Sequence, residues 1–503
     1  MRALRLGTRG SRLAVAQSLQ VANQLRAAHA GLSIEIVSIT TRGDRNRATP
    51  LSTVTDIDFF SAEIDRALLD GHVDFTVHSR KDLDGPRPPG IVTAAMPSRA
   101  NPRDIVLFRP DIIDRLTRGA TLRIGTSSTR RAGHVHGFLQ AALPRLGPEP
   151  RLECVPLRGP VDQRIERLHD AEPDRLDGVV LALAGLERLW LDPAGRAAID
   201  GPLAGLRWMV LPLSECPTAP GQGALAVECR AEDAGLLARL RAVHDETTAA
   251  HVATEYAAGN AVEAEQRAAL GATAINVPQL GELLFARGLA GNDSILQWQA
   301  PTAPRRARAW DGGAWHRACT QRVPRHPDPV PPTPAVFVAH WRALHPGTRL
   351  ANDQRIWVSG WPSWQRLSAA GLWVEGCAEG LGFDALRPTL AARVLQLPPL
   401  DQWLVLTRAG AEHTWDGSGI NTIIGSYALD APASDAVRRL RSAAQRSTHF
   451  FWSSREQYLA VRDCLPPAAH HACGTGKTFH ALTELGLRPC AFPNRKAWQT
   501  WLG

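Results

Sequence analysis

Cysteine is present in this chain but is never paired in sequence. The eight cysteines are scattered along 503 residues, and no two of them form a Cys-x-x-Cys motif. Neither a disulfide framework nor a zinc ribbon is therefore indicated. The densest group, Cys464, His470, His471 and Cys473, matches no standard zinc spacing, and we expect no metal site.

Signals for membrane insertion and export are also missing. No apolar run reaches the ~18 residues of a membrane span. The first residues, MRALRLGTRGSRLAVAQ, lack the apolar region of a signal peptide. We therefore expect a cytoplasmic protein with no membrane partner.

Basic runs with interleaved aromatic residues, which are typical of a nucleic-acid surface, are absent from the first 300 residues. The chain is nevertheless basic, with 57 Lys+Arg against 49 Asp+Glu, and arginine supplies nearly all of the cations. Because arginine binds carboxylates and phosphates through two parallel hydrogen bonds, the composition favours a small anionic ligand and no nucleic-acid partner.

Length and composition predict several globular domains. At about 150 residues per domain, 503 residues correspond to three or four domains. A hydrophobic fraction of 44% and a charged fraction of 21% are ordinary for a globular protein, so a sizeable core is expected.

The decapeptide DFTVHSRKDL at 74–83 is the centre of the sequence argument. A short buried strand runs into a polar end where Asp82 follows Arg80 and Lys81. Strand ends of this kind bind ligands in open α/β sheets, and an aspartate beside cations stays ionised and can stabilise positive charge on a substrate. On the decapeptide alone, a surface salt-bridge cluster is the better explanation.

Three strand-to-helix turns carry further anion-binding groups. Each has glycine or hydroxyl residues before a predicted helix start, where backbone N–H groups favour anions. Their candidate binding residues are Arg9 and Ser11 in the first turn, Ser127, Ser128, Arg130 and Arg131 in the second, and Arg158 and Arg164 in the third. The repeated strand, helix, strand order predicts doubly wound α/β sheets, with the first two turns facing one cleft.

Eight sequence words occur in a fixed order: GTRGSRLAVAQ, RGDR, VDFTVHSRKDL, NPRDIVLF, GTSSTRR, LRGPVDQR, VVLALAGLERL and APGQGALAVECR. In this order they resemble hydroxymethylbilane synthase, also called porphobilinogen deaminase, over residues 1–285. The resemblance implies two periplasmic-binding-protein-like doubly wound domains, at 1–100 with 201–221 and at 101–200. It also implies a small α+β third domain at 222–300.

The resemblance further implies a reaction that joins four porphobilinogens head to tail, with loss of ammonia, on a dipyrromethane primer. By that match Asp82 is the catalytic acid/base. The residues implied to hold the dipyrromethane are Lys81, Ser127, Ser128, Arg130, Arg131 and Arg158. Arg9, Ser11 and Arg164 are implied to bind substrate.

One departure from the family bears directly on the primer. The family attaches it to a cysteine before a Val-Pro, where this chain has Ala274 or Ile275 in ALGATAINVP, and covalent attachment at this position is excluded. Nearby, Asp56-Ile57-Asp58 replaces a Gly-Lys-Gly segment, and Pro160 and Asp84 replace an asparagine and a proline. Three interpretations stay open: a primer held noncovalently, a substitute thiol at Cys216 or Cys229, or a binding protein without catalysis.

The C-terminal part is divided into two segments. Residues 301–345 are rich in Arg, Trp and Pro and are predicted to form a semi-rigid linker. Residues 346–503 resemble uroporphyrinogen-III synthase, through a strand followed by Ser-Ser and a helix and through ACGTGKTFHALTELGL. The resemblance implies a C-terminal α/β region that closes the linear tetrapyrrole, with Tyr427 near the substrate. A buried structural tyrosine explains Tyr427 equally well.

The resulting hypothesis is a monomeric, bifunctional enzyme of tetrapyrrole biosynthesis that acts on small pyrrole substrates. A catalytically impaired homologue that binds pyrrole precursors as an accessory or regulatory protein is the alternative. A small-anion solute receptor is a third, more distant, possibility, since the sequence shows no export signal.

Overall fold

The computed structural model describes residues 2–41, 61–83, 85–288, 294–322, 330–344, 350, 353–430 and 432–503. Side chains are not described at 294–295 and 320–322. The RGDR motif at 42–45, the segment 56–58 and Asp84 lie outside the described residues.

The first sheet has five strands in the order β2-β1-β3-β10-β4. Strand β1 is parallel to β2 and β3, and β10 is antiparallel to β3 and β4. Its strands are β1 Leu4–Arg9, β2 Ile34–Ile39, β3 Phe75–Ser79, β4 Ile91–Ala95 and β10 Leu225–Arg230.

The second sheet repeats this topology in the order β7-β6-β8-β5-β9. Strand β6 is parallel to β7 and β8, while β5 is antiparallel to β8 and β9. Its strands are β5 Asp104–Phe108, β6 Leu122–Gly125, β7 Leu152–Val155, β8 Gly178–Ala182 and β9 Arg207–Val210. The second sheet therefore extends beyond the predicted boundary at residue 200, because β9 pairs with β5 rather than with the first sheet.

Helices cover both sheets, as the strand, helix, strand order predicts. They are α1 Arg12–Ala28, α2 Ala62–Leu69, α3 Ile112–Thr117, α4 Thr129–Ala142, α5 Val161–Glu166, α6 Leu183–Leu191, α7 Pro193–Leu203 and α8 Ala234–Leu240. Every side chain of β5 is buried, which explains its unbroken apolar run after Asp104.

Two crossover segments, residues 96–103 and 211–224, connect the sheets, and they pass close to each other. Gly223 has a φ of +87°, and a Cβ there would lie 2.5 Å from the carbonyl oxygen of Ala100. Only glycine fits this crossing, because it tolerates a positive φ and carries no side chain.

A small α+β unit follows the second crossover. It has three antiparallel strands, β11 Gly271–Val277, β12 Gly281–Arg287 and β13 Ser294–Trp298. Helices α9 Glu246–Asn260 and α10 Ala264–Arg267 precede the strands. The first four residues of β11, including Ala272 and Ala274, are all buried, and Asn276 is exposed.

The C-terminal part contains two sheets, a six-stranded sheet in the order β15-β20-β19-β16-β17-β18 and a four-stranded sheet in the order β14-β21-β22-β23. The strands are β14 Ala309–Trp310, β15 Thr320–Arg322, β16 Ala335–Val338, β17 Arg355–Val358, β18 Val374–Cys377, β19 Trp403–Arg408, β20 Thr422–Asp430, β21 His449–Trp452, β22 His470–Cys473 and β23 Cys490–Ala491. The helices are α11 Gly313–Ala318, α12 Trp361–Ala369, α13 Arg387–Leu390, α14 Ser434–Gln445, α15 Arg455–Val461, α16 Lys477–Glu484 and α17 Arg495–Leu502.

The prediction that residues 301–345 form a linker is wrong for the described part of that segment. Strand β14 pairs with β21, and β16 lies between β17 and β19 inside the six-stranded sheet. Trp310 is buried, so the tryptophans of this Arg/Trp/Pro-rich stretch include core residues that composition alone assigned to solvent.

The second sheet and the six-stranded sheet share their hydrophobic cores. Val106 and Phe108 on one face of β5 belong to a cluster with Val336, while Ile105 on the opposite face belongs to a cluster with Phe337. The C-terminal part is thus packed into the body of the protein. Within the described residues, none of the helices has both the length and the apolar character needed to cross a membrane.

Candidate active site

A cavity of about 800 Å³ lies between the first and second sheets. Several strand-to-helix turns and the second crossover contribute to its lining. Seven of the predicted site residues line it: Arg9, Ser11, Lys81, Asp82, Arg131, Arg158 and Arg164. The structure therefore brings together groups that are up to 155 positions apart in sequence, from Arg9 to Arg164.

The first turn combines a helix cap with side-chain donors. Ser11 is the N-cap of α1, and its hydroxyl oxygen accepts the Ala14 N–H at 3.3 Å. The hydroxyl proton of Ser11 is not used in this capping bond, and Ser11 and Arg9 both line the cavity. The sequence Gly-Ser-Arg after a strand thus forms the anion-binding corner that helix-terminus physics predicts.

Asp82 ends a single 3-10 turn that follows β3, and it is exposed at the cavity wall. Within the described part of the chain, it has neither an ion pair nor a hydrogen bond. Arg80 points elsewhere, since its Nη1 donates to the Tyr256 hydroxyl at 2.8 Å and its guanidinium lies 4.0 Å from that ring. Asp82 is therefore not part of a salt-bridge cluster, whereas Asp74, at the other end of the decapeptide, pairs with Arg2 and Arg5.

Lys81 extends across the cavity wall toward the second crossover. Its Nζ donates to the Gln222 Oε1 at 3.2 Å. Burial, followed by repulsion from Arg131, lowers the pKa of Lys81 to about 8. Lys81 is thus a cation whose charge is only weakly compensated by its surroundings.

Arg130 and Arg131 share one buried carboxylate. The Asp104 oxygens accept Arg130 Nη2 at 2.8 Å and Arg131 Nη2 at 2.7 Å. These two guanidinium groups hold the pKa of Asp104 well below its usual range, despite its burial. Arg130 also donates to the Pro217 carbonyl and does not line the cavity, whereas Arg131 does.

The third turn supplies cations that form no ion pair with a carboxylate among the described residues. Arg164 donates only to the Gly159 carbonyl, at 2.7 Å, and burial followed by repulsion from Arg131 and Arg158 lowers its pKa to about 10. Arg158 makes no hydrogen bond or ion pair among the described residues, and its Nη1 is buried without a partner. Both side chains line the cavity.

Besides Arg130, three predicted residues do not line the cavity, namely Ser127, Ser128 and Tyr427. The Ser127 hydroxyl donates to the Leu157 carbonyl at 2.6 Å and accepts the Leu157 N–H at 2.9 Å. Ser128 caps α4 by accepting the Arg131 N–H. Tyr427 lies in β20, 8% exposed, where burial raises its pKa.

Sequence reasoning missed Asp104 and Gln222, which organise the cavity wall. Gln222 accepts from Lys81 and Arg131 through Oε1, and its Nε2 donates to Asp104 at 2.8 Å. The signal for Asp104 was available: it is the only charge in the strand DIVLF, and a buried charge demands a partner. Gln222 stands between Gly221 and Gly223, which gave no comparable signal.

A buried polar cluster lies behind the cavity wall. Ligand atoms of Asp65, His78 and Glu228 lie within 4.8 Å of one another. Arg87 pairs with both acids, with its Nη2 2.5 Å from Asp65 and its Nε 2.9 Å from Glu228. Burial lowers the pKa of His78 to about 4, so the imidazole is neutral near pH 7. The cluster therefore has its own cation and serves as a support for β3.

No thiol reaches the cavity. All eight cysteines are described, and none is among the lining residues. Ala274 is a buried position of β11 whose N–H donates to Glu255, and Cys216 and Cys229 are fully buried with pKa values raised by burial. The cations suit the carboxylate arms of a dipyrromethane, but no residue present suits its covalent attachment.

Together, the two repeated sheets and the cationic cleft define a two-lobed α/β protein with a site for a small polyanion. The model of the family described as "Porphobilinogen deaminase, dipyromethane cofactor binding domain" matches residues 4–238. The porphobilinogen deaminase of Streptococcus sanguinis strain SK36 is 40% identical over 260 residues, which cover 51% of this chain and 77% of the relative. The chain belongs to the porphobilinogen deaminase family.

Porphobilinogen deaminase 1 of Streptomyces avermitilis is 40% identical over 310 residues, covering 60% of this chain and 89% of the relative. Among solved structures, an ancestral arginine-binding protein bound to arginine overlaps 51% of this chain and 98% of its own, at 16% identity and a TM-score of 0.24.

Proposed function

We propose that this chain joins four porphobilinogens into hydroxymethylbilane, with release of ammonia, in the cavity between the first two sheets. The observation that carries the proposal is the combination of unpaired cations and one unpaired acid. Arg158 and Arg164 have no carboxylate partner among the described residues, and Asp82 has no cation bound to it on the same cavity wall.

The unpaired cations favour a ligand with several carboxylates. A cation held in a partly desolvated site without a counter-charge is costly for folding, so its retention indicates an anionic ligand. Arginine recognises carboxylates in a bidentate manner, and the acetate and propionate arms of porphobilinogen offer two carboxylates per pyrrole. A cavity of about 800 Å³ is also large enough for more than one such ring.

Asp82 is proposed to act on the reacting pyrrole. Loss of ammonia leaves positive charge on the substrate, and a carboxylate with no internal cation can stabilise that charge and receive the proton released when the new carbon–carbon bond forms. Exposure at the cavity wall leaves both Asp82 oxygens accessible to the substrate.

The primer is proposed to bind noncovalently, through Lys81, Arg131 and Arg158, with Arg9, Ser11 and Arg164 directed to substrate. A bound dipyrromethane would supply the free pyrrole carbon that accepts the first substrate unit. Ser127, Ser128 and Arg130 are proposed to act indirectly, by shaping the second turn around Arg131.

The test is an assay of the full chain with porphobilinogen, combined with the intact mass of the protein. Consumption of porphobilinogen without any mass increase would support noncovalent priming. A mass increase that maps to Cys216 or Cys229 would replace that part of the proposal. Asp200→Asn is a matched control for Asp82→Asn, because Asp200 is also exposed but lies outside the cavity.

The competing proposal is a homologue that binds pyrrole precursors without turnover, and the missing thiol favours it. It predicts tight porphobilinogen binding by calorimetry and no consumption over hours. Binding without consumption in both the wild type and Asp82→Asn would establish the accessory role and reject the enzyme.

We further propose that the C-terminal part closes the linear product to uroporphyrinogen III, with Tyr427 near the substrate. Two α/β sheets joined into the same body support this proposal, since a tethered second site captures an unstable product efficiently. The ratio of isomer III to isomer I formed from porphobilinogen tests it, and formation of isomer I alone would reject ring closure. We also propose that the protein is cytoplasmic and works as a monomer. Sedimentation of the purified full chain tests whether it is a monomer.

A further inference from the structure

One carboxylate of the C-terminal part touches both crossover segments of the deaminase body. Glu379 follows β18, and its Oε1 accepts Arg103 Nη2 at 2.8 Å and the Leu213 N–H at 3.0 Å. Arg103 belongs to the first crossover and Leu213 to the second. These segments are the covalent connections between the two sheets that line the cavity, so a single oxygen bridges them, in addition to their direct contact at Gly223 and Ala100.

The backbone at Glu379 is held in a strained conformation. Its φ is +55°, in the left-handed region that residues with a Cβ rarely adopt. Its side chain is 1% exposed, and its Oε2 is buried without a hydrogen bond among the described residues. Strain of this kind persists only where surrounding contacts enforce it. The hydrogen bonds of the Glu379 side chain to Arg103 and Leu213 are such contacts.

The contacts of Glu379 continue into the cavity wall. Arg103 directly precedes Asp104, whose carboxylate binds Arg130, Arg131 and Gln222. On the second crossover, Gln222 accepts from Lys81 of the first lobe. The relative position of the two crossovers therefore sets the distance between the cations of the two lobes.

We propose that Glu379 is a positioning residue for the deaminase site, through which the C-terminal part fixes the geometry of the two lobes. The inference rests on the proposed function for its kinetic consequence, but its structural consequence is independent of turnover. Glu379 touches neither substrate nor reacting atoms, and it acts through Arg103 and Leu213.

Three variants of the full chain test this role. Glu379→Ala removes both contacts, and Glu379→Gln keeps an oxygen that can accept from both donors. Glu375→Gln is the matched control, because Glu375 lies in β18, just before Glu379, and is also buried. Its carboxylate accepts a hydrogen bond from Arg355 Nε, at 2.6 Å, and Arg355 belongs to the same C-terminal part. The readouts are KM and kcat for porphobilinogen and hydrogen exchange of peptides covering 96–104 and 211–224.

For Glu379→Ala we expect KM to rise about tenfold while kcat changes less than about threefold, since the binding cations shift and Asp82 stays in place. Exchange in both crossover peptides should accelerate. Glu379→Gln should restore KM and exchange to near the wild-type values, and Glu375→Gln should leave both unchanged.

If hydrogen exchange in both crossover peptides of Glu379→Ala proceeds at the wild-type rate, the inference is overturned. Equal changes of KM and melting temperature in Glu379→Ala and Glu375→Gln would also overturn it, because they would indicate general destabilisation. A wild-type protein that does not consume porphobilinogen would reject the proposed function instead, and the exchange data would then decide the role of Glu379 alone.

Discussion

Two pairs of arginines in the second lobe have opposite surroundings. Arg130 and Arg131 share the buried carboxylate of Asp104, so their charge is balanced inside the protein. Arg158 and Arg164 have no such partner among the described residues, and burial, followed by repulsion from Arg131 and Arg158, lowers the pKa of Arg164. The first pair builds the wall of the cavity, and the second pair leaves positive charge for a ligand.

The same contrast separates the acids of the site. Asp104 is fully buried and carries two ion pairs, whereas Asp82 is exposed and unpaired among the described residues. An acid that is already paired stabilises the fold, and an acid that is unpaired at a cavity wall is available for chemistry. The following predictions test this division, from the largest expected effect to the smallest.

Asp82→Asn should reduce turnover of porphobilinogen by about a thousandfold or more, because the amide can neither take up a proton nor balance the developing cation. The melting temperature should stay at the wild-type value, since Asp82 supports no contact in the fold. Initial rates and thermal unfolding check both statements, with Asp200→Asn as the control. A tenfold loss or less would show that Asp82 is not the acid/base.

Asp104→Asn should lower the free energy of unfolding by about 3–5 kcal/mol, because two buried guanidinium groups lose their counter-charge. The melting temperature measured by calorimetry reports this effect. Asp170→Asn, which removes an exposed pairing with Arg167, should change stability by no more than about 0.5 kcal/mol. Equal stability of the two variants would remove the distinction between charges that support the fold and charges that bind a ligand.

Arg158→Gln should weaken porphobilinogen binding by about tenfold to a hundredfold, the usual contribution of a charged hydrogen bond. Its stability should remain equal to or above that of the wild type, because an unpaired charge is removed. Calorimetric titration measures the affinity. Arg151→Gln is the control, since Arg151 is 79% exposed, directly precedes the strand β7 that leads to the same turn, and does not line the cavity. Loss of stability without loss of affinity would reverse the assignment.

Ser127→Ala should destabilise the protein by about 1–2 kcal/mol, because both the Leu157 N–H and carbonyl lose their partner. Turnover should remain within about twofold of the wild type, if the serine shapes the turn and does not bind a ligand. Parallel unfolding and rate measurements separate the two roles. A large rise in KM with unchanged stability would place Ser127 in direct contact with a ligand.

Affinity for porphobilinogen should fall by about threefold between pH 7 and pH 9, because Lys81, one of several cations at the cavity, loses its charge. The pKa of Lys81 is lowered to about 8, so its ammonium loses a proton as the pH rises through this value. The folded protein disfavours this charge, and its stability should therefore rise between pH 8 and pH 10.5. Lys81→Arg should abolish the fall in affinity, and a fall that persists in Lys81→Arg would exclude Lys81 as its source.

Much of the deaminase part could be predicted from its sequence. The α/β class followed from strand and helix periodicity, and the meeting of the first two turns, with Arg9 and Arg131, at one cavity followed from glycine and hydroxyl residues at strand ends. The assignment of Asp82 and Arg158 to the same site came from the family resemblance. The local rule succeeds here because helix caps and strand ends are set by a few neighbouring residues.

Other features depend on contacts that are distant in sequence. The pairing of Arg130 and Arg131 with Asp104 joins positions about 26 apart, and an arginine in a turn has the same signature whether it is paired or not. Composition also failed at Trp310, because proline and arginine in 301–345 suggested solvent while β16 of the same segment completes a sheet. Burial of this kind is decided by partners that lie more than 100 residues away.

The shared cores of the second sheet and the six-stranded sheet have a consequence for the history of the chain. Because Val106 and Phe108 share one core with Val336, and Ile105 shares another with Phe337, a stop codon near residue 300 would remove part of the cover of β5 and its neighbours. The truncated polypeptide would expose a large apolar surface to solvent and would aggregate. The full-length chain can therefore diverge, duplicate or lose activity as a whole, but selection cannot easily divide it into two separate proteins.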